Sequence, residues 1–362
     1  MKKVYDIKTR DLESILTLLK ENIQDSMVLM DVVRLEEYIK RIRNGFKCTE
    51  SISLIEQMQD DAEYFEFYKP FYPFVESFIN TGMSVYDLDS NVRYHSLVMS
   101  DEQVMCDVVE FYSHQGSLFY SQILEYQKES TDHLKFVKDT LDTDGETLFL
   151  KSIGEAFVFS PNYSNITKFT ILVHEVQHVI DFYINPNFSE EFVIRETIAM
   201  FMEMIAADYI ANKYKLHGEG FKRQQYLHAI VKYQAHNIMY KMDALEVIFQ
   251  NKNLSEEEII ALLEKEEFDR EDLEFYFEQG ITTDYSYQIA YLIAIELYVL
   301  YYKNKELVLK ICEDIIVNGT SCNIFEILDK YGIQLNTNVI NYENKIYKKR
   351  YLSYLFLSFS IK

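Results

Sequence analysis

Tryptophan is missing altogether, and glycine and proline are scarce, at 10 and 4 in 362 residues. Sheets and tight turns depend on those two residues, so their scarcity excludes a sheet-rich fold and predicts a chain dominated by helix. Cysteine occurs only at Cys48, Cys106, Cys312 and Cys322, widely spaced and with no C-x-x-C pair. That argues against a disulfide framework or a cysteine zinc ribbon, and fits reduced structural thiols in a cytoplasmic protein. No apolar run is long enough to cross a bilayer. The most apolar tail segment, Tyr351 to Ile361, has about half the required length and reads as a terminal helix. The first ten residues are interrupted by charge and carry no apolar stretch of the signal-peptide kind. There is no Gly-rich phosphate loop and no nucleophile elbow. Acidic residues outnumber basic ones by 58 to 36, for a net charge of −22. Without a basic stripe, nucleic acid is excluded as a partner; neutral or cationic peptides suit this acidic field better.

What is present is a hydrophobic fraction of 48% with 29 Tyr and 25 Phe. A chain of this length can bury a large core, as one big domain or two joined lobes. Tyr packs its ring and still offers a hydroxyl, so these residues suit helix interfaces or the walls of a cleft. Apolar residues recur at helical spacing over Asp11–Ile42, Thr49–Tyr68, Phe74–Thr81, Asp101–Tyr112 and Ser117–Lys128. These define a helical N-terminal lobe, residues 1–140, packed as one unit with a catalytic region, 141–362. From 143 to 163 the texture changes. Asp144-Gly145 is a turn signal, with β-favouring runs at Thr147–Leu150 and Ala156–Phe159. An edge strand here can hold an extended substrate backbone by β-addition, which makes Ala156 and Phe157 candidate substrate-binding residues. Further helices are expected at Phe221–Gln250, Ser255–Phe277, Tyr285–Lys303, Ser321–Tyr331 and Val339–Phe359.

The chemistry is concentrated in His174-Glu175-Val176-Gln177-His178, inside an apolar run from Phe169 to Tyr183 that reads as a helix capped by Ser164 or Asn165. Residues i and i+4 share a helix face, so His174 and His178 present two imidazoles to one point, the arrangement that binds zinc. Glu175 lies beside them, placed to take a proton from water as a general base. Unpaired, these groups would be costly to bury; one zinc ion per chain satisfies them together. A catalytic zinc takes three protein ligands. The next helix, starting near Ser189, offers Glu196 and Glu203, seven residues apart. If the two helices fold as a hairpin about residue 185, His178 and Glu196 each lie ~10 Å from the turn. Glu196 is therefore the expected ligand. Glu203, ~10 Å further on, either orients a ligand imidazole or is an ordinary helix-face carboxylate. Asp181 is either a similar supporting group or a solvated helix end. His228 and His236 read as a surface face, and Met200, Met202 and Met204 as core filling.

At this point the residues resemble the oligoendopeptidase F branch of the thimet oligopeptidase family of zinc peptidases. Phe157-Val-Phe-Ser-Pro-Asn-Tyr-Ser-Asn-Ile-Thr-Lys-Phe-Thr-Ile-Leu-Val-His-Glu-Val-Gln-His178 is similar to the family's strand, Asn-aromatic turn and HExGH helix. Phe192–Glu203 resembles its third-ligand helix and places the ligand at Glu196. Tyr285-Ser-Tyr-Gln-Ile-Ala290 is similar to its Tyr-x-Tyr-Gln-Tyr-Ala segment, which implies that Tyr287 stabilises the oxyanion and Tyr285 lines the cleft. Ile327–Thr337 resembles its C-terminal Gly-Val/Ile-x-Leu-Thr stretch. Gln177 stands where the family has Gly, and Asp181 where a His is common. The resemblance implies a mainly α, zincin-like (α+β) body, two-lobed around a deep cleft, with a small β-sheet beside the metal helix. The activity it implies is zinc-dependent hydrolysis of short unstructured peptides. The abbreviated scaffold also fits a peptidase dedicated to one precursor or leader peptide. A third reading is a catalytically silent, zinc-containing peptide binder, against which the retained Glu175 argues.

Overall fold

In the computed structural model the described residues are 12–23, 26–43, some positions within 54–79, 94–137, 145–187, 192–251, 254–277, 281–318 and 324–333. The expectations for Tyr351–Ile361, Val339–Phe359, Cys48, Cys322, Ser189 and the stretch from 334 onward lie outside them. The fold is mainly α with one small sheet. It forms two compact units, each assembled from separate stretches of chain. One comprises the described residues of Met1–Thr49, Tyr94–Arg223 and Leu297–Gln334; the other those of Glu50–Arg93, Gln224–Glu296 and Leu335–Lys362. The regions 1–140 and 141–362 thus each contribute to both.

The first unit is built around a sheet with helices on both faces. β1 (Leu134–Val137), β2 (Glu146–Leu150) and β3 (Glu155–Pro161) lie in the order β1-β3-β2. β1 runs parallel to β3, with Leu134 opposite Val158. β2 is antiparallel to it, with Thr147 opposite Val158. The turn joining β2 to β3 is 151–154, with Gly154 at φ +70° donating to the Leu150 carbonyl at 2.9 Å. Gly145, read as part of a turn signal, immediately precedes β2.

Alternation along the strands sends their side chains to opposite faces. Leu148, Leu150, Phe157 and Phe159 pack against Leu12, Ile15, Leu19, Val32, Leu35 and Tyr38 of α1 (Leu12–Glu21) and α2 (Ser26–Arg43). These two helices replace the single one expected over Asp11–Ile42. Asn22 ends α1, its backbone N–H bonding Leu19 and its side chain the Leu18 carbonyl. A short helix in the other unit, α3 (Tyr72–Ile79), follows in sequence, then α4 (Asp101–Ser113) and α5 (Ser117–His133). Ser100 caps α4 by accepting from the Gln103 N–H.

The other face of the sheet receives α6 (Thr167–Ile184), where Phe149 meets Phe182 with ring centroids 5.0 Å apart. Nearly every residue of α6 is buried, as befits a helix that is apolar around most of its circumference. Asn165 accepts from the Thr167 N–H at its start. Asn185 closes its end before Pro186, and its side chain donates to the Ile316 carbonyl at 2.9 Å. α7 (Phe192–Lys213) packs along α6, and α12 (Lys305–Asn318) packs on both; α13 (Ile324–Lys330) follows it.

α8 (Glu219–Gln250) and α11 (Ile281–Tyr301) each run through both units. The second unit adds α9 (Glu256–Lys265) and α10 (Arg270–Tyr276), where one helix was expected over Ser255–Phe277. Glu267, at φ +69°, breaks that helix and Asp269 caps the next. Within this unit a buried ion pair joins Lys241 to Asp284 at 2.5 Å, and Asp61 accepts from the Ile281 N–H at 2.9 Å. No described helix is long and apolar enough to cross a membrane.

Candidate metal centre

α6 and α7 form an antiparallel hairpin, because successive carboxylates of α7 meet the histidines of α6 in reverse order. Glu196 lies 3.5 Å from Nε2 of His178 and 3.3 Å from Nε2 of His174; Glu203 lies 3.1 Å from Nδ1 of His174. One donor atom from each of His174, His178 and Glu196 falls within 4.8 Å of the others. The two imidazole rings meet edge to face, their planes nearly perpendicular at 86°. All of this is buried: Glu196 is 3% exposed and His178 6%. Glu196 Oε2 and His178 Nδ1 are buried without a hydrogen bond. A buried carboxylate whose two oxygens each face an imidazole, one of them without a well-formed hydrogen bond, is the kind of donor a cation satisfies. Two nitrogen donors and one oxygen donor form a set suited to zinc, and the residues present fit it.

Electrostatics within the cluster are strongly coupled. Burial alone would raise Glu196, yet the charges of His178, His174 and Arg195 outweigh it and hold its carboxyl at about 2. His174 is driven the opposite way. Burial works against its charge, but the neighbouring carboxylates of Glu196 and Glu203 lift it well above the ordinary imidazole value. Burial pushes His178 well below that value. Glu175, 6% exposed, is raised by burial to about 7.

Three groups around the cluster have no counterpart in the sequence reading. Arg223, at the start of α8, donates from Nε (2.9 Å) and Nη2 (2.6 Å) to Glu203 Oε1, leaving Oε2 for His174. Glu203 is therefore not an ordinary helix-face carboxylate; it bridges a guanidinium to an imidazole. Thr147 of β2 donates to Glu175 Oε2 at 2.7 Å. Arg195 brings Nε to 3.4 Å from Glu196 Oε1. Only one cue pointed toward Arg223: a carboxylate expected to be buried needs a cation, but the sequence does not say which.

Two expectations concern residues close to the cluster. Ala156 and Phe157 lie on β3, the central strand, and are 0% and 3% exposed; Phe157 faces α1 and α2. β1 pairs with β3 only over Val158–Pro161, whereas β2 pairs with it over Glu155–Phe159, so β1 does not extend along Ala156 and Phe157. The edge beside the metal helix is β2. Asp181 is not a solvated helix end, being 1% exposed and bonded to Gln177 Nε2 at 2.6 Å. Gln177 in turn accepts from the Tyr112 hydroxyl at 3.0 Å, so the residues standing for the family's Gly and His form one buried chain of bonds. Tyr285 (buried) and Tyr287 (half-buried) belong to α11 within the second unit. His228, half-buried, is 3.3 Å from the Tyr291 hydroxyl, and His236 is exposed.

A mainly helical body with a small sheet against a central helix carrying His-Glu-x-x-His is an oligoendopeptidase F-like fold. Solved structures bear this out. A Bacillus anthracis (strain Ames) protein described as an oligoendopeptidase F matches with a TM-score of 0.53 at 13% identity, over 93% of this chain and 66% of that one. PZ peptidase A, solved with an inhibitor, matches at 0.54 and 11% identity, over 93% and 68%. A second protein described as an oligoendopeptidase F matches at 0.55 and 12%, over 96% and 69%. The chain thus spans about two thirds of the length of these structures. No protein-family model and no curated protein matches the sequence.

Proposed function

We propose that this protein is a zinc-dependent peptidase acting on short unstructured peptides. One observation carries the reading: His174, His178 and Glu196 converge within 4.8 Å, beside a buried Glu175 on the same helix. Those three residues would hold one zinc ion. When bound, zinc polarises a carbonyl and lowers the pKa of water. Glu175 takes the proton of the attacking water on its carboxylate and delivers it to the leaving amine. Glu203, held by Arg223, accepts from His174 Nδ1–H, which would leave His174 Nε2 as the nitrogen to hold an ion. β2 pairs on one side with β3 and has no second partner among the described residues, so its outer edge can take a substrate backbone by β-addition. Tyr287 is assigned to the oxyanion by its sequence segment, where a donor of this type is worth a few kcal/mol. The test is digestion of a mixed peptide library by zinc-loaded protein beside Glu175→Gln, read by mass spectrometry. Products from the wild type that vanish in the variant support the reading. A zinc-loaded wild type that binds peptides and cuts none overturns it in favour of a peptide-binding protein.

A further inference from the structure

β2 touches the general base at two points. Thr147 Oγ1 lies 2.7 Å from Glu175 Oε2 and 3.1 Å from the Glu175 backbone carbonyl. A hydroxyl has one proton to give, and the bond to a carboxylate is the shorter and stronger of the two. Glu175 Oε1 has no hydrogen bond among the described residues, so it is the oxygen left to receive a proton. Gly145, two residues before Thr147 on the strand side, sits at φ +145°. A Cβ there would fall 2.7 Å from Glu175 Oε1 and 2.9 Å from Ile171 Cγ2. Any side chain at 145 would therefore occupy the space in front of the free oxygen. The strand thus ties down one carboxylate oxygen and leaves the other uncovered.

We propose that Thr147 is a positioning residue for Glu175, with Gly145 keeping the proton-accepting oxygen open, so that one strand sets both the base and the substrate. This rests on the peptidase reading above. Thr147 touches neither the ion-holding residues nor the substrate's reacting bond; it acts through Glu175. A base held by packing alone can rotate, and a misplacement of about 1 Å costs on the order of 100-fold in rate.

The experiment compares wild type, Thr147→Val (the same shape without the hydroxyl), Thr147→Ser (the hydroxyl retained) and Gly145→Ala. Zinc affinity is measured by chelator competition, and kcat and KM are measured on one cleaved peptide. Thermal unfolding of Thr147→Val, Glu175→Ala and the double variant is followed in parallel. Thr147→Val should lose roughly 10–100-fold in kcat, with KM and zinc affinity within about twofold. Thr147→Ser should recover most of the loss, and Gly145→Ala should lose kcat without losing zinc. The melting shifts of Thr147→Val and Glu175→Ala should be non-additive, which reports the bond even if no peptide is cut. Wild-type inactivity with non-additive shifts overturns the peptidase reading and keeps the Thr147–Glu175 bond. Additive shifts, or a Thr147→Val enzyme with wild-type kcat, overturn the positioning role itself.

Discussion

Arg223→Met isolates the bond network behind His174. In the wild type both groups are buried, at 3% and 4% side-chain exposure, and Glu203 Oε1 takes two guanidinium donors. Burial opposes the charge on Glu203; Arg223 and His174 overcome it and keep its carboxyl below the ordinary value. Methionine fills much of the arginine's volume but leaves that carboxylate facing only one imidazole. Breaking a buried pair by removing one partner costs about 3–5 kcal/mol, far more than the ~0–1 kcal/mol of an exposed pair. Urea unfolding of metal-free protein should show a loss in that range. Arg223→Lys, which keeps the charge but not the two-pronged geometry, should fall between. Because Glu203 orients His174, zinc affinity should also drop roughly 10–100-fold, measured by chelator competition. An Arg223→Met protein within about 1 kcal/mol of wild type, with unchanged zinc affinity, would refute the view that this network is ionised and supports the metal.

Single alanine substitutions at His174, His178 or Glu196 should each abolish stoichiometric zinc in elemental analysis, whereas Glu175→Gln should retain the metal. Removing zinc with a chelator should lower the melting temperature of the wild type and leave that of His178→Ala unchanged, since only the native site gains from mass action. Tyr112→Phe deletes the hydroxyl that bonds Gln177 and should cost about 1–3 kcal/mol, because Gln177 Oε1 is left buried without its donor. In the second unit, Lys241→Met should cost about 3–5 kcal/mol by stranding Asp284, and the added change Asp284→Leu should recover much of it. A double variant no more stable than Lys241→Met would show that the pair is held for a reason other than charge balance.

The α6–α7 hairpin that carries the candidate ligands was legible because its signal is local. Two histidines four apart in an apolar run fix a helix face, and the seven-residue spacing of Glu196 and Glu203 places both on one side of the next helix. Two strands were legible from β-favouring runs. The third, β1, was not, since Leu134–Val137 is four residues long and follows directly on α5 with no glycine or proline to mark a break. α12 escaped for a similar reason: only Tyr302, Lys303 and Asn304 separate it from the end of α11, and Asn304 caps it by accepting the Leu307 N–H. Arg223 and Thr147 reach the site from elements with no periodic link to the motif. Tertiary pairing of this kind leaves no trace in spacing.

α12 also sets a timetable. The last expected ligand, Glu196, and its neighbour Glu203 are synthesised well before Lys305–Asn318, which packs on both helices of the hairpin and receives the Asn185 side chain at Ile316. Glu203 and Asn318 are 115 positions apart. At about 5–20 residues per second, the hairpin waits roughly 6–23 s on the ribosome without that wall. During this interval two imidazoles and two carboxylates are within reach of whichever divalent ion is most abundant or binds most tightly. Were a metal held there, its identity would be settled either by the unfinished chain or by exchange after α12 has packed on the hairpin. Pulse-labelled protein loaded before and after release would tell these apart.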